Sequence, residues 1–117
     1  MDKERRRYPR LSKVLPLKIS SQNFEIVTQT KNLSCIGALC SVNTYLAPMT
    51  KLKITLLLPE KQDYLSPKSS KKVSCIGVVV RTEEINHSNY NIAIFFEQMK
   101  ERERLKLERY IQEHLRV

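Results

Sequence analysis

A chain of 117 residues, 41% hydrophobic and 28% charged with only five prolines, is a single globular domain, too short for two independent cores and too apolar to be disordered. Lysine and arginine number 21 against 12 acidic residues, and the net charge of +9 favours anionic partners such as nucleotides, nucleic acid or an acidic membrane surface. Three cysteines, Cys35, Cys40 and Cys75, form no CxxC pair and have no nearby histidine, which argues against a disulfide framework or a zinc site and for reduced, mostly buried thiols.

The chain opens with MDKERRRYPRLSK, where Lys3, Arg5, Arg6, Arg7, Arg10 and Lys13 stand against Asp2 and Glu4, a local charge of +4. Residues 1–13 are expected to be a flexible basic arm, because they bury little apolar surface and their charges repel. Charges follow Met1 directly, so no secretory leader is expected, and the apolar runs at 53–59 and 77–80 are too short to cross a bilayer; a cytoplasmic location without a membrane span is the expectation.

Period-two patterning then predicts six strands: VLPLKIS (14–20), FEIVTQTKNL (24–33), IGALCSV (36–42), KLKITLLL (51–58), KVSCIGVVVRT (72–82) and NYNIAIFF (89–96). Polar and proline-containing stretches separate them. The longest break, 59–71, is expected as an exposed loop, and EEINHSN as a solvated hairpin tip. Six short strands over residues 14–98 suggest a sandwich or a closed barrel, the latter removing strand edges. From residue 99 the period changes: Leu107, Tyr110, Ile111 and Leu115 recur at three- and four-residue spacing, predicting an amphipathic helix over 99–117 that docks on a barrel opening.

Two motifs carry chemistry. Arg6 and Arg10 form an RxxxR pair in the arm, preceded by Arg5. About twenty residues later NLSCIG (32–37) reads as a polar turn between strands, where Asn32 and Ser34 offer short hydrogen-bonding side chains and Gly37 permits either close backbone approach or a positive φ. Each alone is weak: a basic run is commonly a solvated tail, and the turn commonly a simple loop cap. Together, in this order and in a β-rich setting, they resemble the PilZ family, whose members bind the bacterial second messenger cyclic di-GMP through an RxxxR arm and a [D/N]xSxxG turn. The resemblance runs over nearly the whole chain, including strands similar to LPLKI, CIGVVVR and YNIAIFF and the closing helix. Ala93 departs from it, standing where many relatives have glycine. It implies an all-β fold, a six-stranded antiparallel split barrel with a C-terminal α-helix. It also implies cyclic di-GMP as ligand, bound by Arg5, Arg6, Arg10, Asn32, Ser34 and Gly37, with no catalysis, metal or further cofactor. The implied role is that of an adaptor for an unidentified effector protein in motility, biofilm or exopolysaccharide control.

The residue chemistry suits such a ligand. Cyclic di-GMP presents two phosphodiester anions and two guanines, and arginine is planar, permanently charged, able to chelate either edge and able to stack. Pro9 biases Tyr8 toward extended backbone, in which residues four apart point the same way and stand roughly 13 Å apart. Arg6 and Arg10 then form the grip and Arg5 and Arg7 face away unless the arm bends. Asn32 can pair with a guanine edge, Ser34 can donate to an oxygen and Gly37 leaves room for a flat base.

Other readings compete. A small basic barrel binding RNA or single-stranded DNA fits the charge, but aromatics are 7% of the chain and several occupy core-facing positions, which argues against nucleic acid as partner. An enzyme is disfavoured, since His87 and His114 lack a metal or nucleophile partner. A member of the fold working only through protein contacts would not need both motifs. Arg81, at a strand end, reads either as a ligand contact or as half of a surface ion pair.

Overall fold

Alternation of buried and exposed residues lets six strands close on one another. The computed structural model describes residues 8–59 and 70–115. The strands are β1 (Pro16–Ser20), β2 (Glu25–Leu33), β3 (Gly37–Val42), β4 (Lys51–Pro59), β5 (Ser70–Asn86) and β6 (Asn89–Gln98), followed by helix α1 (Glu101–Leu115). All pairings are antiparallel, and the order β1-β2-β3-β6-β5-β4 forms a closed barrel. It consists of two three-stranded meanders, sealed where β1 meets β4 and where β3 meets β6. The expected six-stranded barrel with a C-terminal helix is therefore the fold, and closure decides between the barrel and the sandwich.

Inward-facing positions are aliphatic on almost every strand. Leu17 and Ile19 of β1 face Leu56 and Ile54 of β4, while Cys40, Ile92 and Val79 line the far side, all buried. Each fully buried leucine or isoleucine contributes about 1.5 to 3 kcal/mol, so this one cluster is the principal source of stability. Gly77 belongs to the same tight packing: a methyl there would lie 2.7 Å from Ile94 Cγ2. Helix α1 adds Leu107, Tyr110 and Ile111 to that cluster. Leu115, expected in the buried stripe, is 41% exposed because it sits in the final turn, one turn past the last core contact at Ile111.

One difference from the strand pattern has a physical cause. β5 continues to Asn86, leaving only His87 and Ser88 at the tip, because Glu83 and Glu84 pair with Asn91 and Tyr90; ladder bonds hold a polar ribbon that hydropathy cannot reveal. Asn32 lies within β2, inside the expected strand 24–33, so the turn of the second motif begins only after Leu33. Cys35 is half-buried, whereas Cys40 and Cys75 are buried as expected. Residues 60–69 of the expected loop and residues 1–7 of the arm, Arg5 and Arg6 among them, lie outside the described residues.

The chain enters the barrel along a path fixed by β2. Leu11 is buried and bridges Leu33, and Thr30, also buried, accepts a hydrogen bond from Leu15 N–H at 3.0 Å while its hydroxyl donates to the Lys13 carbonyl at 2.6 Å. Lys31 is the extra residue of a bulge that separates Thr30, opposite Cys40, from Asn32, opposite Leu39.

Replacing Thr30 by valine keeps the shape but leaves the Leu15 N–H without its partner. Urea denaturation is expected to show a loss of about 1 to 3 kcal/mol. Burial pushes the Cys40 and Cys75 thiols up to about 12, so folding holds their protons more tightly than the unfolded chain does. Stability tied to these thiols is complete below their ordinary value of 9.0 and is lost as pH climbs toward about 12. Iodoacetamide at mildly alkaline pH should label Cys35 ahead of both, as read by mass spectrometry of the native protein.

Candidate functional site

The Leu11–Leu33 bridge determines what surrounds the two motifs. Leu11 N–H donates to the Leu33 carbonyl at 2.7 Å and Leu33 N–H to the Leu11 carbonyl at 3.0 Å. In such an antiparallel pair the residue before Leu11 lies beside the residue after Leu33, so Arg10 comes next to Ser34. Between them opens a recess of about 230 Å³. Arg10, Asn32, Ser34 and Gly37 all line it, joined by Tyr8, Val80, Arg81, Ala93 and Phe95.

Local bonding shapes the turn. Ser34 Oγ accepts the Ile36 N–H at 3.2 Å, and Ser34 N–H donates to the Gly37 carbonyl at 2.8 Å, closing residues 34–37 on themselves. Phe96 N–H then donates to the Ile36 carbonyl at 2.8 Å, which fastens the turn to β6. The Ser34 proton reaches only the Gly37 carbonyl at 3.5 Å, at the limit of a hydrogen bond, so it is available to another acceptor. Asn32 is half-buried and its amide has no hydrogen-bond partner among the described residues. Gly37 does not use positive φ; a Cβ there would collide with the Ile94 carbonyl across the β3–β6 pair, so close approach is what requires glycine.

Charge in the recess has one sign. Arg10 and Arg81 are exposed cations, no carboxylate lines the recess, and neither arginine forms a salt bridge among the described residues. Of the two readings open for Arg81, the ion pair is thus absent. A bulge between Val79 and Arg81 explains why Val80 and Arg81 are consecutive yet both exposed: the extra residue turns two adjacent side chains outward. Phe95, 42% exposed, and Tyr8, 44% exposed, supply aromatic surface.

Sequence reasoning did not single out Tyr8, Val80 or Phe95. The signal existed for Phe95: in a strand two successive phenylalanines cannot both face the core, and Phe96 is the buried one. Ala93 stood outside both motifs in sequence, yet it pairs with Leu39 and Arg81 and so adds a methyl to this recess. Arg5 and Arg6 lie outside the described residues.

A family model for the PilZ domain matches residues 4–113. The chain belongs to the PilZ family. PilZ domains are non-catalytic receptor modules for cyclic di-GMP, a class consistent with a recess of arginines, an amide and a hydroxyl. Among solved structures this PilZ chain is similar to the inhibitor of motility MotI/DgrA of Bacillus subtilis, with 20% identity and a TM-score of 0.76 over 95% of this chain and 52% of that one. At that identity the likeness is one of fold, and the chain spans about half the length of that protein. No curated protein matches. Among the described residues no helix is long and apolar enough to cross a membrane.

Gly37→Ala is expected to push β3 from β6 and to cost about 1 to 3 kcal/mol, measurable as a lowered urea midpoint, since the obstructing atom is backbone and cannot rotate away.

Proposed function

We propose that the chain is a cyclic di-GMP receptor that changes conformation on binding and thereby regulates a partner protein in the bacterial cytoplasm. The observation that carries this reading is the convergence of Arg10, Asn32, Ser34 and Gly37 on one recess, with Arg81 beside them and no carboxylate to compete for the cations. Arg10 and Arg81 supply charge-assisted donors to phosphate oxygens or a guanine O6/N7 edge. The free Asn32 amide pairs with a guanine edge, and the Ser34 proton goes to a ligand oxygen. Phe95 offers its face to a base.

Size sets the division of labour. About 230 Å³ is below the usual range of pockets that enclose a whole ligand, so the recess takes one guanylate half and the remainder lies under the arm. Arg5 and Arg6 then close over that outer half. Ordering the arm draws part of the binding energy and shifts a charged segment against the barrel, which changes the surface offered to a partner. No step of this mechanism alters the nucleotide.

Titration calorimetry with cyclic di-GMP tests the reading. Arg10→Ala is expected to lose about 1.5 to 3 kcal/mol, tenfold to a hundredfold in affinity, with the fold intact. Phe95→Ala should lose about 1 to 3 kcal/mol, the worth of one stacked base. Equal affinity of parent and Arg10→Ala, or a parent that prefers oligonucleotides to cyclic di-GMP, would refute the assignment.

A further inference from the structure

A second and larger groove, of about 900 Å³, runs where the start of α1 meets β4, β5 and the end of β6. Lys53, Lys72, Lys100, Arg102, Arg104 and Lys106 line it against only Glu97 and Glu103. Both carboxylates are already engaged. Glu97 pairs with Lys51 at 3.3 Å, and Glu103 accepts the Ser74 N–H at 2.8 Å and pairs with Lys106 at 3.0 Å. Burial opposes ionisation of Glu103, but the Ser74 and Lys106 bonds outweigh it and hold its carboxyl below the ordinary value. The other five cations form no ion pair among the described residues.

Fold stability does not account for this cluster. Glu101 and Glu103 suit the positive end of the helix dipole, whereas Arg102 in the same turn is disfavoured there. Like charges gathered on a concave surface raise the local potential and draw an anion. Half-buried Ile76 and Met99 give the groove an apolar floor, and no aromatic side chain lines it. A single strand of nucleic acid would find nothing to stack on, and a flat membrane surface would not enter a concavity. A polypeptide with carboxylates flanking an aliphatic side chain meets both the rim and the floor.

We propose that this groove docks an acidic segment of a partner protein. The inference rests on the adaptor half of the proposed function and names the chemistry of the partner. Position supports it: Phe95 in the first recess and Glu97 in the groove are two residues apart on β6, on the same outward face, so the two sites adjoin.

Fluorescence anisotropy of a short labelled peptide of glutamate and leucine tests the groove, with labelled oligothymidylate and phosphatidylserine vesicles as comparison probes. The peptide is expected to bind the parent in a salt-sensitive manner. The combined change Lys53→Glu, Lys100→Glu and Arg102→Glu should weaken it by about tenfold or more, with the thermal midpoint and the calorimetric affinity for cyclic di-GMP unchanged. Peptide binding that survives the triple change overturns the proposal, as does tighter binding of oligothymidylate or vesicles through the same three residues. Loss of both peptide and cyclic di-GMP binding in the triple variant also overturns it, because the charges would then act on the whole surface. A parent that ignores cyclic di-GMP yet binds the peptide through these residues refutes the reading of the recess and leaves the groove standing.

Discussion

Leu11 and Leu33 exchange both of their backbone hydrogen bonds, and the arrangement of the recess depends on that exchange. It sets the register of the entering chain against β2 and so brings Arg10 beside Ser34. The magnitudes are sufficient but local. Two hydrogen bonds of about 1 kcal/mol each, with a buried leucine contributing about 1.5 to 3, offset the ordering of two or three residues at about 1 to 2 kcal/mol apiece. The anchor therefore fixes the stretch around Leu11, which is enough to present one arginine.

Everything opposite that arginine belongs to a rigid wall. The two buried polar side chains among the described residues are Thr30 and Ser34, and both serve this corner of the barrel. Thr30 fastens the entering chain to β2, and Ser34 closes the turn that carries the second motif. Polar groups in a core lose solvation, so they persist where their bonds hold a geometry that packing alone would leave free. The tight β3–β6 approach at Gly37 extends the same constraint to the strand that bears Phe95.

Much of the fold was legible because its period is simple. Strands such as KLKITLLL keep a buried residue at every second position, and the change to a period near four marked α1. The tip of β5 was not legible, since both faces of that ribbon meet solvent and leave no alternation to read. The motifs pointed to four residues that the recess brings together, Arg10, Asn32, Ser34 and Gly37, while Arg5 and Arg6 stand outside the described residues. What sequence spacing could not convey was adjacency across the barrel: Arg81 and Phe95 lie far from either motif along the chain and reach the recess only through the β3–β6–β5 pairing. The bulge that turns Val80 outward with Arg81 is likewise a property of register, which no local pattern records.

Closure of the barrel carries a consequence for recognition. With β1 sealed to β4 and β3 to β6, the barrel wall has no open seam, and the stretch of β5 beyond Val79, which pairs with β6 alone, is a strand edge that carries Arg81, Glu83 and Glu84. A partner that approaches the closed wall reads side chains and their charge. Charges of both signs on that short β5 ribbon discourage strand-to-strand polymerisation between copies of the module.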